Sequence, residues 1–314
     1  MISEWELETK LVAIVTDNAA NVTAAIRQLQ QSDNGFRNVK HLPCFAHTLN
    51  LVVQQAVQAI NELKTKVKTI VGYFHQSTVA AAKLEELQVQ MKPNQGPLKL
   101  KNDVVTRWNS TLHMCQRVCE LQEPLNATIA VLMNPVDGLT PEEWQSLKEI
   151  AVILQPFDAV TTEISAEMSV TASKVIMLWR GLTSACTKIR PTLTNEISKL
   201  LMTKLLEGLQ KRFGALESNT MLARATFLDP RFKKSGFATE SGYNTVKESV
   251  VAEVTRQVSA SSQTALQSAP EQRRSEAASS SFSDVDDLIW GDFDRTAAVQ
   301  EAGHILSVES NQNV

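Results

Sequence analysis

The stretch LVAIVTDNAAN, residues 11–21, decides how the fold begins. Its first six residues are apolar or β-branched, a pattern typical of a strand that is buried on both faces of a parallel sheet. Residues 19–31 then carry apolar side chains at helical spacing, which predicts a helix. A second short apolar run, VKHLPC, ends at Cys44 and predicts another strand. We therefore expect a strand–helix–strand unit at the start of the chain.

Asp17 lies between the first predicted strand and the helix, and two roles fit that position. Its carboxylate can accept hydrogen bonds from backbone N–H groups at the start of the helix, which requires no chemistry. A carboxylate at the carboxyl end of a strand in an open α/β sheet can also hold a divalent metal for phosphoryl transfer. The local sequence leaves both roles open.

The composition limits the possible partners of the chain. The 314 residues carry a net charge of −3, so a contact with nucleic acid would have to be a local basic patch. The N-terminal sequence is charged and the chain has no apolar run long enough to span a bilayer, so we expect neither secretion nor a membrane partner. The four cysteines are irregularly spaced, which favours a reducing compartment over a disulfide framework.

Beyond Cys44 the apolar pattern is helical almost throughout. The sequence Thr140-Pro141-Glu142-Glu143 has the form of a capping box with proline at the first helical position, so it predicts a helix start. Further helices are predicted over 172–189 and 195–216. The apolar stripes expected to face the core comprise Leu49, Val53, Ala56, Ile60, Leu63, Val67, Ile70, Val71, Phe74, Trp144, Leu147, Ala151, Leu154, Ile197, Leu201, Leu205, Leu209 and Phe213.

The C-terminal part of the chain changes in composition. Residues 256–283 are rich in Ser, Ala and Gln without an apolar stripe, which is typical of a disordered linker. The following segment, DVDDLIWGDFD at 284–294, combines acidic and large apolar residues, which favours a short docking segment.

Five sequence blocks occur in an order that resembles the hAT superfamily of transposases. The similarity is strongest to the transposon-derived zinc finger BED domain-containing proteins, and it covers about residues 3–294. These five blocks together are far more specific than any single motif. They are TDNAANVTAAI (16–26), LPCFAHTLNLVVQ (42–54), DVVTRWNSTLHMCQRV (103–118), VTASKVI (170–176) and ATFLDPRFK (225–233).

This resemblance implies an RNase H-like catalytic domain interrupted by a large helical insertion domain. Family members cut DNA with two divalent metals, Mg²⁺ or Mn²⁺, held by two aspartates and a glutamate. Asp17 matches the second aspartate, whereas the other two positions have no counterpart here, and Glu301 lies in an unmatched context. Because two-metal catalysis needs every acidic ligand, we expect no enzymatic activity and no bound cofactor.

The resemblance also assigns roles to two short motifs. Cys44 and His47 match a C-x-x-H motif at the entrance to the insertion domain, where we expect them to support the active site. A zinc site that also used His113, Cys115 and Cys119 is the alternative, and we do not favour it. Arg107 and Trp108 match the family's RW motif, in which the indole stacks on a flipped base; burial of Trp108 in the core is the alternative.

We therefore predict a mixed α/β and all-α chain of four parts. These are a partial RNase H-like remnant (1–45), an all-helical insertion domain (46–255), the linker (256–283) and a docking segment with a divergent tail (284–314). We expect a truncated chain without a BED finger or the family's dimerisation segment, so dimerisation is not expected. By resemblance it is nuclear and binds DNA or nuclear proteins in transcription or chromatin regulation. An active transposase with acidic ligands supplied elsewhere, or a non-functional gene product, are the alternatives.

Overall fold

The computed structural model of the protein describes residues 10–31, 36–104, 106–133, 135–165 and 172–261. These residues are mostly helical, with one small parallel sheet of two strands. The strands are β1 (Ala13–Thr16) and β2 (Lys40–Pro43). The α-helices are α1 (Ala20–Gln31), α2 (Phe45–Val57), α3 (Asn61–Gln76), α4 (Thr78–Met91), α5 (Trp108–Glu120), α6 (Gln122–Val131), α7 (Pro141–Ile164), α8 (Val175–Ile189), α9 (Glu196–Phe213), α10 (Thr220–Leu228) and α11 (Glu240–Ser261).

The strand–helix–strand unit predicted at the start of the chain is present. β1 and β2 pair in parallel with Ala13 opposite Lys40, and α1 connects them. The expectation that the first strand is buried on both faces is wrong for the described residues, because the side chains of Val12 and Val15 are 64% and 61% exposed. A sheet of two strands cannot cover both faces of an apolar strand.

The described chain forms two compact units. The first unit contains residues up to Leu154 together with residues 192–212, and the second contains residues 155–191 and those from Phe213 onward. The helical region predicted as one domain over 46–255 is thus shared between the two units.

In the first unit, the predicted helical stripe from Leu49 to Phe74 forms the core of two consecutive helices, α2 and α3. Val53 and Val67 are both 0% exposed. A short 3₁₀ turn over Gln58–Ile60 separates the two helices, a break that the periodicity did not indicate. Apolar residues at three- and four-residue spacing lie on one helical face, which explains why they are buried together.

The capping box at the start of α7 is confirmed. The backbone N–H of Glu143 donates to Thr140 Oγ1 at 3.3 Å, and the N–H of Thr140 donates to Glu143 Oε2 at 2.7 Å. Lys66 Nζ lies 2.6 Å from the same Glu143 oxygen. This reciprocal arrangement satisfies N–H groups that a helix start would otherwise leave unpaired.

A buried carboxylate joins α7 to the start of α9 within the first unit. Glu149 Oε1 accepts hydrogen bonds from the backbone N–H of Thr194 at 3.0 Å and from its hydroxyl at 2.6 Å. Glu149 Oε2 accepts a bond from the N–H of Asn195 at 3.3 Å. Burial disfavours the charged carboxylate, but the hydrogen bonds from Thr194 and Gln145 outweigh it and hold the pKa of Glu149 at about 2.

In the second unit, a turn after α10 is packed tightly against that helix. Asp229 is the C-cap residue of α10 and is followed by a proline, and Lys233 has a positive φ of 42°. A Cβ atom on Gly236 would lie 2.4 Å from Thr226 Cγ2, so only glycine fits there without displacing the helix. Thr226 is fully buried, and its hydroxyl donates to the carbonyl of Ser173 at 3.0 Å.

Two predictions made for the helical region are corrected. Ile197 is 39% exposed although it was expected in the core, because it lies in the first turn of α9. α11 continues through Ser261, past the predicted linker start at 256, and Gln257 Nε2 donates to Glu253 Oε1 at 3.1 Å within it. Such pairs at i,i+4 stabilise an exposed helix end. The predicted segments 262–283 and 284–314 lie outside the described residues, as does most of the first ten.

Candidate nucleic-acid interface

The first three of the five sequence blocks meet in the first unit. The backbone N–H of Cys44 donates to the carbonyl of Thr16 at 2.7 Å, and Asn18 Nδ2 donates to Thr48 Oγ1 at 3.1 Å. Gln54 Nε2, on α2, lies 3.4 Å from the carbonyl of Thr106. Blocks that are up to 52 residues apart are therefore neighbours in the fold.

The last two blocks meet in the second unit. Besides the bond from Thr226 to Ser173, Asp229 is paired with Arg231 through two hydrogen bonds, Nε to Oδ1 at 2.9 Å and Nη2 to Oδ2 at 2.6 Å. The Arg231 guanidinium holds the pKa of Asp229 far below its usual range. This contact stabilises the turn after α10, so Arg231 has a structural role there.

Asp17 is exposed at the carboxyl end of β1. Its Oδ1 accepts the backbone N–H of Ala19 at 3.2 Å, immediately before α1 begins. This bond ends at the residue before α1, so it forms an Asx turn that leads into the helix and does not cap the first helical turn. The metal role would need further acidic groups beside it.

Cys44 and His47 lie at the start of α2, next to the carboxyl ends of both strands. Cys44 occupies the N-cap position of the helix without a side-chain bond to it, and both side chains are half-buried. In the described part of the chain, no three His, Cys, Asp or Glu side chains come together in a group that could hold a metal ion. Burial raises the pKa of the Cys119 thiol to about 11 and raises that of Cys115 further, which makes both thiols poor ligands.

A buried carboxylate that the sequence reasoning missed anchors the loop before α5. The Asp103 side chain is 3% exposed, and its Oδ1 accepts the hydroxyl of Thr111 at 2.7 Å. Its Oδ2 lies 3.2 Å from Lys68 Nζ on α3. Burial disfavours the carboxylate, but the bonds from Thr111 and Lys68 outweigh it, so the pKa of Asp103 lies below its ordinary value.

The same loop is closed by Ser110. Its hydroxyl accepts the backbone N–H of Val104 at 2.7 Å and lies 2.6 Å from the carbonyl of Arg107. The backbone N–H of Arg107 in turn donates to the carbonyl of Val104 at 2.9 Å. These bonds hold the backbone of Val104 and of Arg107 next to Ser110, and the Arg107 residue is exposed.

The two residues of the RW motif differ in environment. Arg107 is exposed, whereas the Trp108 side chain is only 3% exposed as the first residue of α5. An indole buried to this degree offers no face to a base, so this conformation corresponds to the core-packing alternative, and stacking would require Trp108 to leave the core.

Basic residues occur on both of the segments that the contact between Asp103 and Lys68 joins. Lys64 and Lys68 lie one turn apart on α3, and Lys101 and Arg107 flank Asp103 in the chain and are exposed. Asp103 is the acidic group at the centre, and Lys68 already neutralises it. We call Lys64, Lys68, Lys101 and Arg107 the basic strip.

The chain was compared with known proteins. A family model described as the ZBED1 RNase-like helical domain matches residues 42–153. The human zinc finger BED domain-containing protein 4 is 28% identical over 240 residues, covering 75% of this chain and 19% of that protein. No solved structure gives a significant match.

Two further relatives widen the range of functions among similar proteins. The "Putative AC transposase" of Zea mays is 28% identical, covering 74% of this chain and 29% of that protein. The "Putative transcriptional regulator tpeD" of Talaromyces stipitatus is 25% identical, covering 58% of this chain and 25% of that protein. The chain thus spans less than a third of each of these three relatives.

By these matches the chain is similar to transposase-related proteins that contain a helical RNase-like domain. More particularly, the chain is related to the hAT-type transposases and to the zinc finger BED proteins derived from them. The resemblance seen in the five sequence blocks is thereby confirmed. Among the described residues, no helix is long and apolar enough to cross a bilayer.

Proposed function

We propose that the chain acts as a nuclear DNA-binding module in transcription or chromatin regulation, and that it does not cut DNA. The observation that carries the proposal is the ion pair between Asp103 and Lys68, which ties the loop that carries the exposed Lys101 and Arg107 to the helix that carries Lys64 and Lys68. Lysine and arginine side chains contact DNA phosphates and release counterions on binding. The relatives include a transcriptional regulator by name, which supports the regulatory setting.

We further infer that β1, α1 and β2 correspond to part of an RNase H-like sheet. Parallel pairing and the position of Asp17 at the carboxyl end of β1 support this assignment. A two-metal reaction would need two more acidic ligands beside Asp17. The described residues bring no such group to it, so cutting would require acids from outside the described residues or from a partner chain.

Fluorescence anisotropy with a labelled mixed-sequence DNA duplex, measured over a range of salt concentrations, tests the binding proposal. We expect the affinity to fall with salt, and we expect Arg107→Ala and Lys101→Ala each to reduce the slope of log K against log salt by about 0.9. Lys199→Ala is the matched control, since Lys199 is an exposed lysine on α9 with a local ion pair to Glu196. Equal losses in all three variants would show non-specific charge attraction and contradict the proposal.

A nicking assay with Mn²⁺ separates this proposal from the transposase alternative. If the chain binds DNA without cutting it, and Asp17→Ala binds DNA as the wild type does, the binding function stands. Cleavage that disappears in Asp17→Ala would establish the enzyme, with its other carboxylates supplied from outside the described residues.

A further inference from the structure

Helix α3 contains a glycine that the packing of the chain does not explain. Gly72 lies in the interior of α3, where glycine is a poor helix former compared with alanine. Among the described residues, no atom outside the neighbouring residues and the local backbone of the helix lies within 4 Å of the position that a Cβ on Gly72 would occupy. An alanine would therefore fit, and the glycine is not needed to accommodate a described neighbour.

Gly208 in α9 shows the contrast. A Cβ atom on Gly208 would lie 2.9 Å from Val52 Cγ1, so close helix packing accounts for that glycine. Both glycines interrupt a helix of the first unit, but only Gly208 has a packing partner among the described residues. A helical glycine that faces open space is suited to the close approach of a binding partner.

Gly72 faces a groove of about 690 Å³ along the polar side of α3. Lys64 and Lys68 line one end of it, and Tyr73 and Gln76 line the other, with Pro135 on the opposite wall. No acidic side chain is among the described residues that line the groove. Its chemistry therefore complements an anionic partner with hydrogen-bonding groups.

The groove is continuous with the proposed DNA interface through one side chain. Lys68 lines the groove and also contacts Asp103, the anchor of the loop that carries Lys101 and Arg107. A single extended anion could follow the basic strip from Arg107 into the groove. A nucleic-acid backbone has the regularly repeated charge that such a strip requires, whereas an acidic peptide would need its carboxylates in a matching register.

We propose that the groove on α3 receives the sugar–phosphate backbone of the bound nucleic acid, and that Gly72 allows the backbone to approach the helix closely. This inference rests on the proposed function and extends its footprint from the loop to α3. Lys64 contacts a phosphate at the end of the groove about two helical turns before the glycine, and Tyr73 borders the sugar.

Gly72→Ala tests the inference, because its structural and functional effects have opposite signs. Alanine in place of a helical glycine raises the melting temperature by a few degrees when it meets no clash. We expect the same variant to weaken DNA binding roughly three- to tenfold. Lys64→Ala should lower the salt slope by about 0.9, whereas Lys199→Ala should leave both the affinity and the slope unchanged.

The outcomes distinguish this inference from the proposed function. Suppose that Arg107→Ala loses affinity but Gly72→Ala and Lys64→Ala bind DNA as the wild type does. The proposal that the groove receives the nucleic-acid backbone is then overturned, while the DNA-binding function stands. If the folded wild type does not bind DNA, both are overturned. Poly-glutamate that binds the wild type as tightly as DNA does, and loses affinity in Gly72→Ala, would assign the groove to an acidic peptide instead.

Discussion

The sheet at the start of the chain leaves two valine side chains mostly exposed, whereas the helices that follow it bury many aliphatic side chains. Val12 and Val15 in and beside β1 are 64% and 61% exposed. Val53 on α2 and Leu112 on α5 are 0% exposed. The residue types are similar, so the difference lies in how many described elements pack against them.

This contrast shows where the first unit obtains its stability. Burial of a Val or Leu side chain contributes about 1.5–3 kcal/mol to the free energy of unfolding. The helices bury such side chains at many positions. Among the described residues, the two strands gain little stabilisation of this kind. The anchored loop at Asp103 belongs to the well-packed helical part, whereas Asp17 belongs to the sparsely packed sheet.

Leu112→Ala should have the largest effect among the variants considered for this comparison. Removal of a fully buried leucine side chain leaves a cavity and should lower the free energy of unfolding by about 2–5 kcal/mol. Val15→Ala should change it by less than about 0.5 kcal/mol, because that side chain is mostly exposed. Urea denaturation followed by circular dichroism measures both. Similar losses in the two variants would show that Val15 is buried in the folded protein and would remove the contrast.

Glu149→Gln should have an intermediate effect on the helical part. The substitution replaces a buried carboxylate that accepts bonds from Thr194 and Asn195 with a neutral amide that cannot accept on both sides. We expect the free energy of unfolding to fall by about 1–3 kcal/mol at neutral pH. The isosteric change leaves the packing volume intact, which separates this effect from that of a cavity.

The pH dependence gives the sign of the Glu149 contribution. The pKa of Glu149 is about 2 in the folded protein against an ordinary value of 4.5. Its stabilisation is therefore fully present above about pH 4.5 and is lost as the pH falls toward 2. Unfolding measured between these limits should show a shallower decline in Glu149→Gln than in the wild type. Parallel declines would mean that Glu149 does not retain its bonds in solution.

Local signals in the sequence were sufficient for most of the helices. The capping box at Thr140 and the stripes on α2 and α3 depend on residues within a few positions of one another, and the structure confirms them. The burial of β1 depends on which elements pack on its two faces, so a run of apolar residues could not predict it. Ile197 shows a similar limit, since periodicity does not tell where a helix leaves the core.

The candidate site was less accessible to sequence reasoning. Resemblance to the family's RW motif singled out Arg107 and Trp108. It could not indicate that the arginine is exposed and the tryptophan buried, which the structure shows. Asp103 was missed because its partner Lys68 is distant in sequence. The nearby Thr111 was the available signal, since an Asp before a helix that begins with hydroxyl residues is typical of a side-chain-bonded loop.

Thr16→Val should have the smallest effect on global stability. It tests whether the two-stranded sheet unfolds together with the helices or separately from them. The Thr16 hydroxyl lies 2.8 Å from His41 Nε2, a bond that joins the end of β1 to the second residue of β2. A lost hydrogen bond of this kind costs about 0.5–1.5 kcal/mol where the element unfolds with the whole domain. If the sheet opens independently of the helices, amide hydrogen exchange should accelerate in β1 and β2 while the unfolding midpoint stays the same. A matching loss in the global free energy of unfolding would instead show that the strands and helices form one cooperative unit, and Asp17 would then be held as rigidly as the loop at Asp103.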